Sequence, residues 1–169
     1  MGSNQQRDDL RIVVIGAGMA GILAGIKLRE AGFDDITLYE KADRIGGTWR
    51  ENTYPGLTCD VSSHSYTYTF EPNPEWSHTF PPGAEIQDYF EGTTRKYGVD
   101  DLIVFNEEIL RCEFAAGRWQ IELSSGQRDE ADIVIAATGV LHHPSYPDIP
   151  GLSDFEGALF HTARWDHDV

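Results

Sequence analysis

Six residues, Gly16-Ala-Gly-Met-Ala-Gly21, constrain this chain more than any other stretch. They follow Leu10 to Ile15 (LRIVVI), a short apolar, β-branched run that reads as a fully buried strand. They precede Ile22 to Ala31, apolar at Ile22, Leu23, Ile26 and Leu28, which reads as a helix stopped by Gly32. Ile36 to Glu40 (ITLYE) reads as a second strand. The sum is a β-α-β unit with parallel strands and a right-handed crossover. G-x-G-x-x-G in that setting is a dinucleotide fingerprint. Gly16 permits the tight turn, Gly18 lets a pyrophosphate approach the backbone, and Gly21 lets helix and strand pack closely. The amides opening the helix, around Met19 and Ala20, present free N–H groups and partial positive charge to phosphates. Glu40, 19 residues past Gly21, is placed to accept hydrogen bonds from ribose hydroxyls and to repel a 2′-phosphate. Lys41 beside it argues weakly the other way. The bland alternative is a turn shaped by glycines next to a solvated acid.

The rest of the chain builds outward from that unit. Residues 41–82 hold Gly46-Gly47, Pro55-Gly56, Pro72, Pro74 and Pro81-Pro82 with no lasting period, so they read as a long excursion of loops and short turns. The glycine pair before Thr48 and Trp49 suggests a second close approach of backbone to ligand, or an ordinary Gly-Gly turn. Ile86, Tyr89, Phe90, Thr93 and Tyr97 fall at helical spacing and predict an amphipathic helix over 84–97. Leu102 to Phe105 reads as a strand. Ile109 to Phe114 and Trp119 to Leu123 read as an antiparallel pair joined near Ala116-Gly117, with a turn at 124–127. Ile133 to Ala137 is another buried strand, and a Pro-rich loop begins at His142. The predicted class is α/β: a doubly wound parallel sheet with an inserted antiparallel β-meander. Trp76, Tyr66, Tyr68 and Phe70 fit either a ligand-stacking set or core packing.

Charge and cysteine usage set the class of partner. The chain carries 28 acids and 13 bases over 169 residues, a formal net charge of −15. Nucleic-acid and membrane-surface binding both need a basic face, so neither is expected. Cys59 and Cys112 form no CxxC pair, and His142-His143 has no placed acid partner, so no metal site is indicated. No apolar run approaches a membrane span. Residues 1–9 are polar and read as a disordered lead into a cytoplasmic protein.

The residues resemble the class B flavoprotein monooxygenases, the flavin-containing and Baeyer–Villiger enzymes. The likeness runs through GAGMAG, Glu40, Gly46-Gly47-Thr48-Trp49, YPGLTCDVSSHSYTYTF (54–70), PGAEIQDYF (82–90) and ATG (137–139). It ends in the Baeyer–Villiger fingerprint F-x-G-x-x-x-H-x-x-x-W-[PD]. Phe155, Gly157, His161, Trp165 and Asp166 match it at every fixed position.

That resemblance implies FAD, with Gly16, Gly18 and Gly21 at its pyrophosphate and Glu40 at the adenosine ribose. It implies Gly47, Thr48 and Trp49 on the flavin side, Asp60 as an acid beside the flavin ring with a tentative catalytic role, and Tyr66 as a nearby aromatic. Ile109 falls where backbone meets adenine, and Thr138 and Gly139 where the FAD and NADPH domains cross. The fingerprint residues would couple those domains. The implied activity uses NADPH and O₂ to convert a ketone to an ester or lactone through a peroxyflavin. The family's second glycine fingerprint, for NADPH, does not occur before Val169. The expectation is therefore a truncated FAD-binding domain over 10–141 and a linker over 142–169 leading to an NADPH domain outside this chain. By itself the chain is expected to be inactive and able to self-associate through uncovered sheet edges. Alternatives are a non-catalytic FAD module needing a second chain, a heteroatom-oxidising flavin-containing monooxygenase, or a simple NAD-binding domain.

Overall fold

The computed structural model describes residues 10–169; the polar lead read at 1–9 lies outside the described residues. Four short strands form a parallel sheet in the order β3-β2-β1-β7: β1 (Ile12–Ile15), β2 (Ile36–Tyr39), β3 (Ile103–Val104) and β7 (Ile133–Ala136). The chain winds from β1 outward to β2 and β3, then returns to add β7 on the other side of β1. A reversal of this kind opens a crevice at the carboxyl ends of the strands beside it, here β1 and β7.

The two faces of the sheet are covered by different layers. On one face Val14 and Leu38 pack with Ile22 and Ile26 of α1 (Met19–Glu30) and Ile86 and Phe90 of α3 (Gly83–Lys96). On the other, Val13 and Tyr39 pack against Ile121, Leu123 and Ala131. Those residues belong to an antiparallel sheet of β4 (Ile109–Ala115), β5 (Arg118–Leu123) and β6 (Arg128–Ala131). Neighbouring residues of one strand thus serve opposite cores, as the period of two requires. β4 and β5 join through Ala116 and Gly117, both at positive φ (52° and 86°), as the turn between them predicts.

Several boundaries differ from the sequence reading. α1 starts at Met19 rather than Ile22, because Gly18 is its extended cap and the last fingerprint residues already wind its first turn. β3 keeps only two residues of the predicted four. The excursion 41–82 contains one short helix, α2 (Thr48–Glu51). β6 carries no apolar alternation to announce it, since of its two inward residues, Asp129 and Ala131, the first is charged.

Asp129 explains how the two sheets are riveted. Its carboxylate accepts from Arg11 Nε at 2.9 Å and from the Tyr39 hydroxyl at 2.8 Å, and a second Arg11 nitrogen pairs with its other face. Arg11 also reaches Asp35 at 2.5 Å. Burial raises the Asp129 carboxyl, but the hydrogen bonds from Arg11 and Tyr39 outweigh it and hold the group below its ordinary value. Burial and the Asp129 contact push the Tyr39 phenol up to about 12. A carboxyl that is more acidic in the fold than in the open chain stabilises above its unfolded value, and that contribution is lost as pH falls through the lowered one. Asp129→Asn is expected to cost about 2 kcal/mol at neutral pH. The parent and variant melting curves should begin to approach one another below about pH 4 and meet only below the lowered Asp129 value. Thermal unfolding of both proteins across pH 2.5 to 7 checks this.

Candidate functional site

A cleft of about 490 Å³ opens at the carboxyl edge of the parallel sheet. It lies where the strand order reverses, and its floor is the turn from β1 into α1. Gly16, at φ 96°, turns the chain back so that its amide donates to Tyr39 O at 2.8 Å. A Cβ on Gly21 would sit 1.9 Å from the Gly16 carbonyl oxygen, so only glycine lets the helix begin this close to the strand. The first-turn amides of α1 have no intrahelical acceptor, and the Gly18 cap makes no side-chain hydrogen bond. They open toward the cleft with the positive end of the helix dipole.

The opposite wall is the glycine pair of the excursion. Gly46 donates its amide to Ala17 O at 3.1 Å, which clips the loop onto the first turn. At φ 122° its missing side chain leaves room for Gln87, whose Nε2 donates to Ile45 O at 2.9 Å. Across the gap, Gly18 and Gly47 face one another: a Cβ on Gly47 would lie 3.2 Å from the Gly18 Cα. The two walls therefore meet backbone to backbone. α2 then carries Thr48 and Trp49 along the cleft, and the Trp49 Nε1–H donates to the Tyr66 hydroxyl at 3.0 Å. The rings meet edge to face at 5.5 Å. Burial raises the Tyr66 phenol, with Cys59 and Asp60 adding to the shift and the Trp49 bond opposing it.

Glu40 is buried at the end of β2 and faces the cleft. Its Oε2 accepts from the Ala17 amide at 2.8 Å, and its Oε1 from the Ala42 amide at 3.0 Å and from Arg50 at 3.1 Å. Arg50 in turn donates to Glu51 Oε1 at 3.0 Å.

The structure gathers most of the residues singled out in the sequence. Gly16, Gly18, Met19 and Ala20 line the cleft from the first turn. Glu40, Lys41 and Ile109 line the end nearest β2 and β4; Gly47, Thr48, Trp49 and Tyr66 form the opposite wall, and Thr138 and Gly139 follow β7. Gly21 stands behind the floor. Asp60 is exposed and outside the lining, close enough to act electrically on Tyr66. Phe155, Gly157, His161, Trp165 and Asp166 also lie outside it. Trp165 packs on Tyr54 and Phe160, and His161 Nδ1 accepts from the Ala163 amide at 3.0 Å. Tyr68, Phe70 and Trp76 pack with Tyr89 and Phe90 in the core, which leaves Tyr66 alone of the four aromatics at the cleft. Arg50, Glu51 and His142 line the cleft without any local pattern that marked them. Among the described residues no cluster could hold a metal ion, and no helix is long and apolar enough to cross a membrane.

Comparison with known proteins places this geometry. A family model described as an NAD(P)-binding Rossmann-like domain matches residues 14–81. A Mycobacterium tuberculosis protein named as an uncharacterized monooxygenase is 51% identical over 158 residues, covering 94% of this chain and 32% of its own length. A Baeyer–Villiger monooxygenase of Streptomyces coelicolor is 44% identical over 166 residues, with 97% and 32% covered. Cyclohexanone monooxygenase from Rhodococcus sp. Phi1, solved with NADP+, superposes with a TM-score of 0.84 at 33% identity, covering 94% of this chain and 31% of that one. OTEMO, solved with FAD and NADP, gives a TM-score of 0.85 at 31% identity, covering 96% of this chain and 31% of that one. The chain thus spans about a third of the length of the relatives it matches.

Two glycine substitutions separate the floor from the opening. Gly21→Ala drives a methyl into backbone and is expected to cost about 3 kcal/mol. Melting should fall by roughly 10 °C in a chain of this size. Gly18→Ala meets nothing nearer than the Gly47 Cα at 3.6 Å, at an ordinary φ of −78°, and should melt close to the parent. Calorimetry of the three proteins decides it.

Proposed function

We propose, from the premise that sequence and fold match a third of the Baeyer–Villiger and FAD-binding monooxygenases, that this cleft binds FAD. The parent activity we infer is an NADPH- and O₂-dependent oxygenation of a ketone. The observation that carries the reading is the convergence, in one cleft at the strand-order reversal, of the open α1 amides, the facing glycines Gly18 and Gly47, and the buried Glu40. The residues present fit the group. Bare backbone on both walls makes a slot that two Cβ atoms would narrow. The volume is that of a cofactor site.

In this reading the amides of Met19 and Ala20 hold the diphosphate, where fixed dipoles replace the basic patch the chain lacks. Glu40 accepts from the adenosine sugar, and the Ile109 backbone borders the adenine. Thr48, Trp49 and Tyr66 take the flavin side, where the Trp49–Tyr66 hydrogen bond and edge contact hold both rings in one orientation. Asp60, through its effect on Tyr66, tunes the charge beside that wall. Thr138, Gly139 and the loop beyond them close the cleft from the β7 side. The chemistry FAD supplies when bound is two-electron transfer from a nicotinamide and activation of O₂. The protein contributes position, electrostatics and exclusion of water.

The same reading divides the chain into a dinucleotide-binding unit over 10–141 and a connector over 142–169. Phe155, Gly157, His161, Trp165 and Asp166 belong to that connector. Trp165 rests on Tyr54, six residues after Thr48, so the connector is tied to the segment that forms the flavin wall. That placement favours coupling between domains over contact with substrate.

Titration of the purified chain with FAD, followed by flavin fluorescence, tests the assignment. The parent is expected to bind and quench the flavin. Gly18→Ala, folded but with a methyl at the pyrophosphate, should weaken binding more than tenfold. Equal binding by the two proteins, or none by the parent, would remove the assignment.

A further inference from the structure

We infer that the Tyr68 hydroxyl, acting from behind the floor of the cleft, strengthens the Ala20 amide as a donor to phosphate. The inference rests on the FAD reading above and deepens it. Tyr68 is buried and does not line the cleft. Its hydroxyl donates to the Met19 carbonyl oxygen at 2.5 Å, the short end for a bond between two oxygens. A carbonyl only accepts, so the direction of this bond is fixed. The Met19 carbonyl has two lone pairs; the helix takes one through the amide of Leu23, four residues on, and Tyr68 takes the other. The Met19 carbonyl and the Ala20 N–H are the two ends of one peptide group. A donor on the oxygen draws electron density from the nitrogen, the cooperativity by which chained hydrogen bonds polarise one another. Ala20 lies in the first turn of α1, where N–H groups have no intrahelical acceptor, and it lines the cleft. The peptide group of Ala17 and Gly18 is treated likewise, since its oxygen accepts the Gly46 amide.

The Tyr68 hydroxyl is held in place. Its ring stacks on Phe70 with centroids 5.3 Å apart and planes 6° from parallel, and Phe90 meets it at 5.7 Å. Its own amide donates to the Tyr89 hydroxyl at 2.9 Å, which donates in turn to Glu71 O at 2.7 Å. Burial pushes the Tyr68 phenol far above its ordinary value, so the group stays a protonated donor. A phenylalanine ring has the same faces, so the hydroxyl adds nothing to the aromatic packing. What it adds is the bond to the turn. Tyr68 is therefore a positioning residue, acting through a peptide group rather than touching the ligand.

Tyr68→Phe keeps the ring and removes only the hydroxyl. In proton–nitrogen correlation spectra of the ligand-free chain, the Ala20 amide proton should move upfield in the variant. ADP and adenosine are then titrated against both chains by calorimetry. ADP should bind the variant about threefold more weakly, the scale of a partial weakening of one hydrogen bond to a charged group. Adenosine, which has no phosphate, should bind the two alike. Replacing Tyr68 by meta-fluorotyrosine, a more acidic phenol and so a stronger donor, should do the opposite: the Ala20 proton moves downfield and ADP binds more tightly. Damage to the fold would not produce that reversal, and the fluorinated chain carries the test alone if Tyr68→Phe fails to fold. An Ala20 proton unmoved by either change, or equal losses for ADP and adenosine in Tyr68→Phe, would overturn the role of Tyr68 while leaving the FAD reading intact. A parent that binds neither ADP nor FAD would overturn both.

Discussion

The buried carboxylate of Glu40 is the point on which the architecture of the cleft turns. Stripping it of partners would cost several kcal/mol, yet it sits 4% exposed at the end of β2. Two backbone amides and a guanidinium satisfy it, and each comes from a different piece of chain. The Ala17 amide belongs to the glycine turn, the Ala42 amide to the start of the excursion, and Arg50 to α2. The parallel register, with Ile15 beside Tyr39, brings the end of β2 to the height of that turn. One side chain thereby joins the floor of the cleft to its far wall. The position of α2 is then set by charge as much as by the Gly46 clip.

The layers behind the cleft follow from the same short strands. The four residues each of β1, β2 and β7 are enough to serve two cores, because alternate side chains go to helices on one face and to the antiparallel sheet on the other. β7 is an edge strand, with Ile135 packed toward one core and Val134 toward the other. It pairs with β1 alone, and Ile133 is 39% exposed. Beyond it Val140 is 93% exposed and Leu141 68%, so apolar surface collects along the β7 side of the cleft mouth.

What the sequence made legible was whatever local pattern can encode. β-branched runs marked β1, β2 and β7, helical spacing marked α3 to within one residue at each end, and the glycine spacing marked the turn. The meaning of other residues exists only in three dimensions. β6 was hidden because Asp129 faces inward to Arg11 and Tyr39, which reverses the polarity a buried position normally shows. Arg50 and Glu51 read as two ordinary charges after Trp49. Their burial, and the fork that links them to Glu40, depend on the parallel pairing of β1 with β2. The aromatic set was ambiguous for a related reason: Tyr66 and Tyr68 sit two residues apart, yet one reaches the cleft and the other stacks on Phe70.

Charge at the cleft bears on how an acidic chain would receive the anion proposed for it. Glu40, Glu51, Glu107 and Glu108 line it against only Lys41 and Arg50, and Arg50 is already committed to two of those carboxylates. Long-range attraction therefore works against a diphosphate. What favours it is short-ranged and oriented: amides without internal partners, aimed by a helix whose start is fixed by the Gly16–Gly21 contact. Such dipoles cost no reorganisation when the ligand arrives, and they act only on a group placed within their reach. In the FAD reading proposed above, Glu40 discriminates rather than attracts, accepting from sugar hydroxyls and rejecting added phosphate. In that reading affinity and selectivity are carried by different atoms of the same turn-and-strand unit, so that an error in the backbone of the turn would disable the first without touching the second.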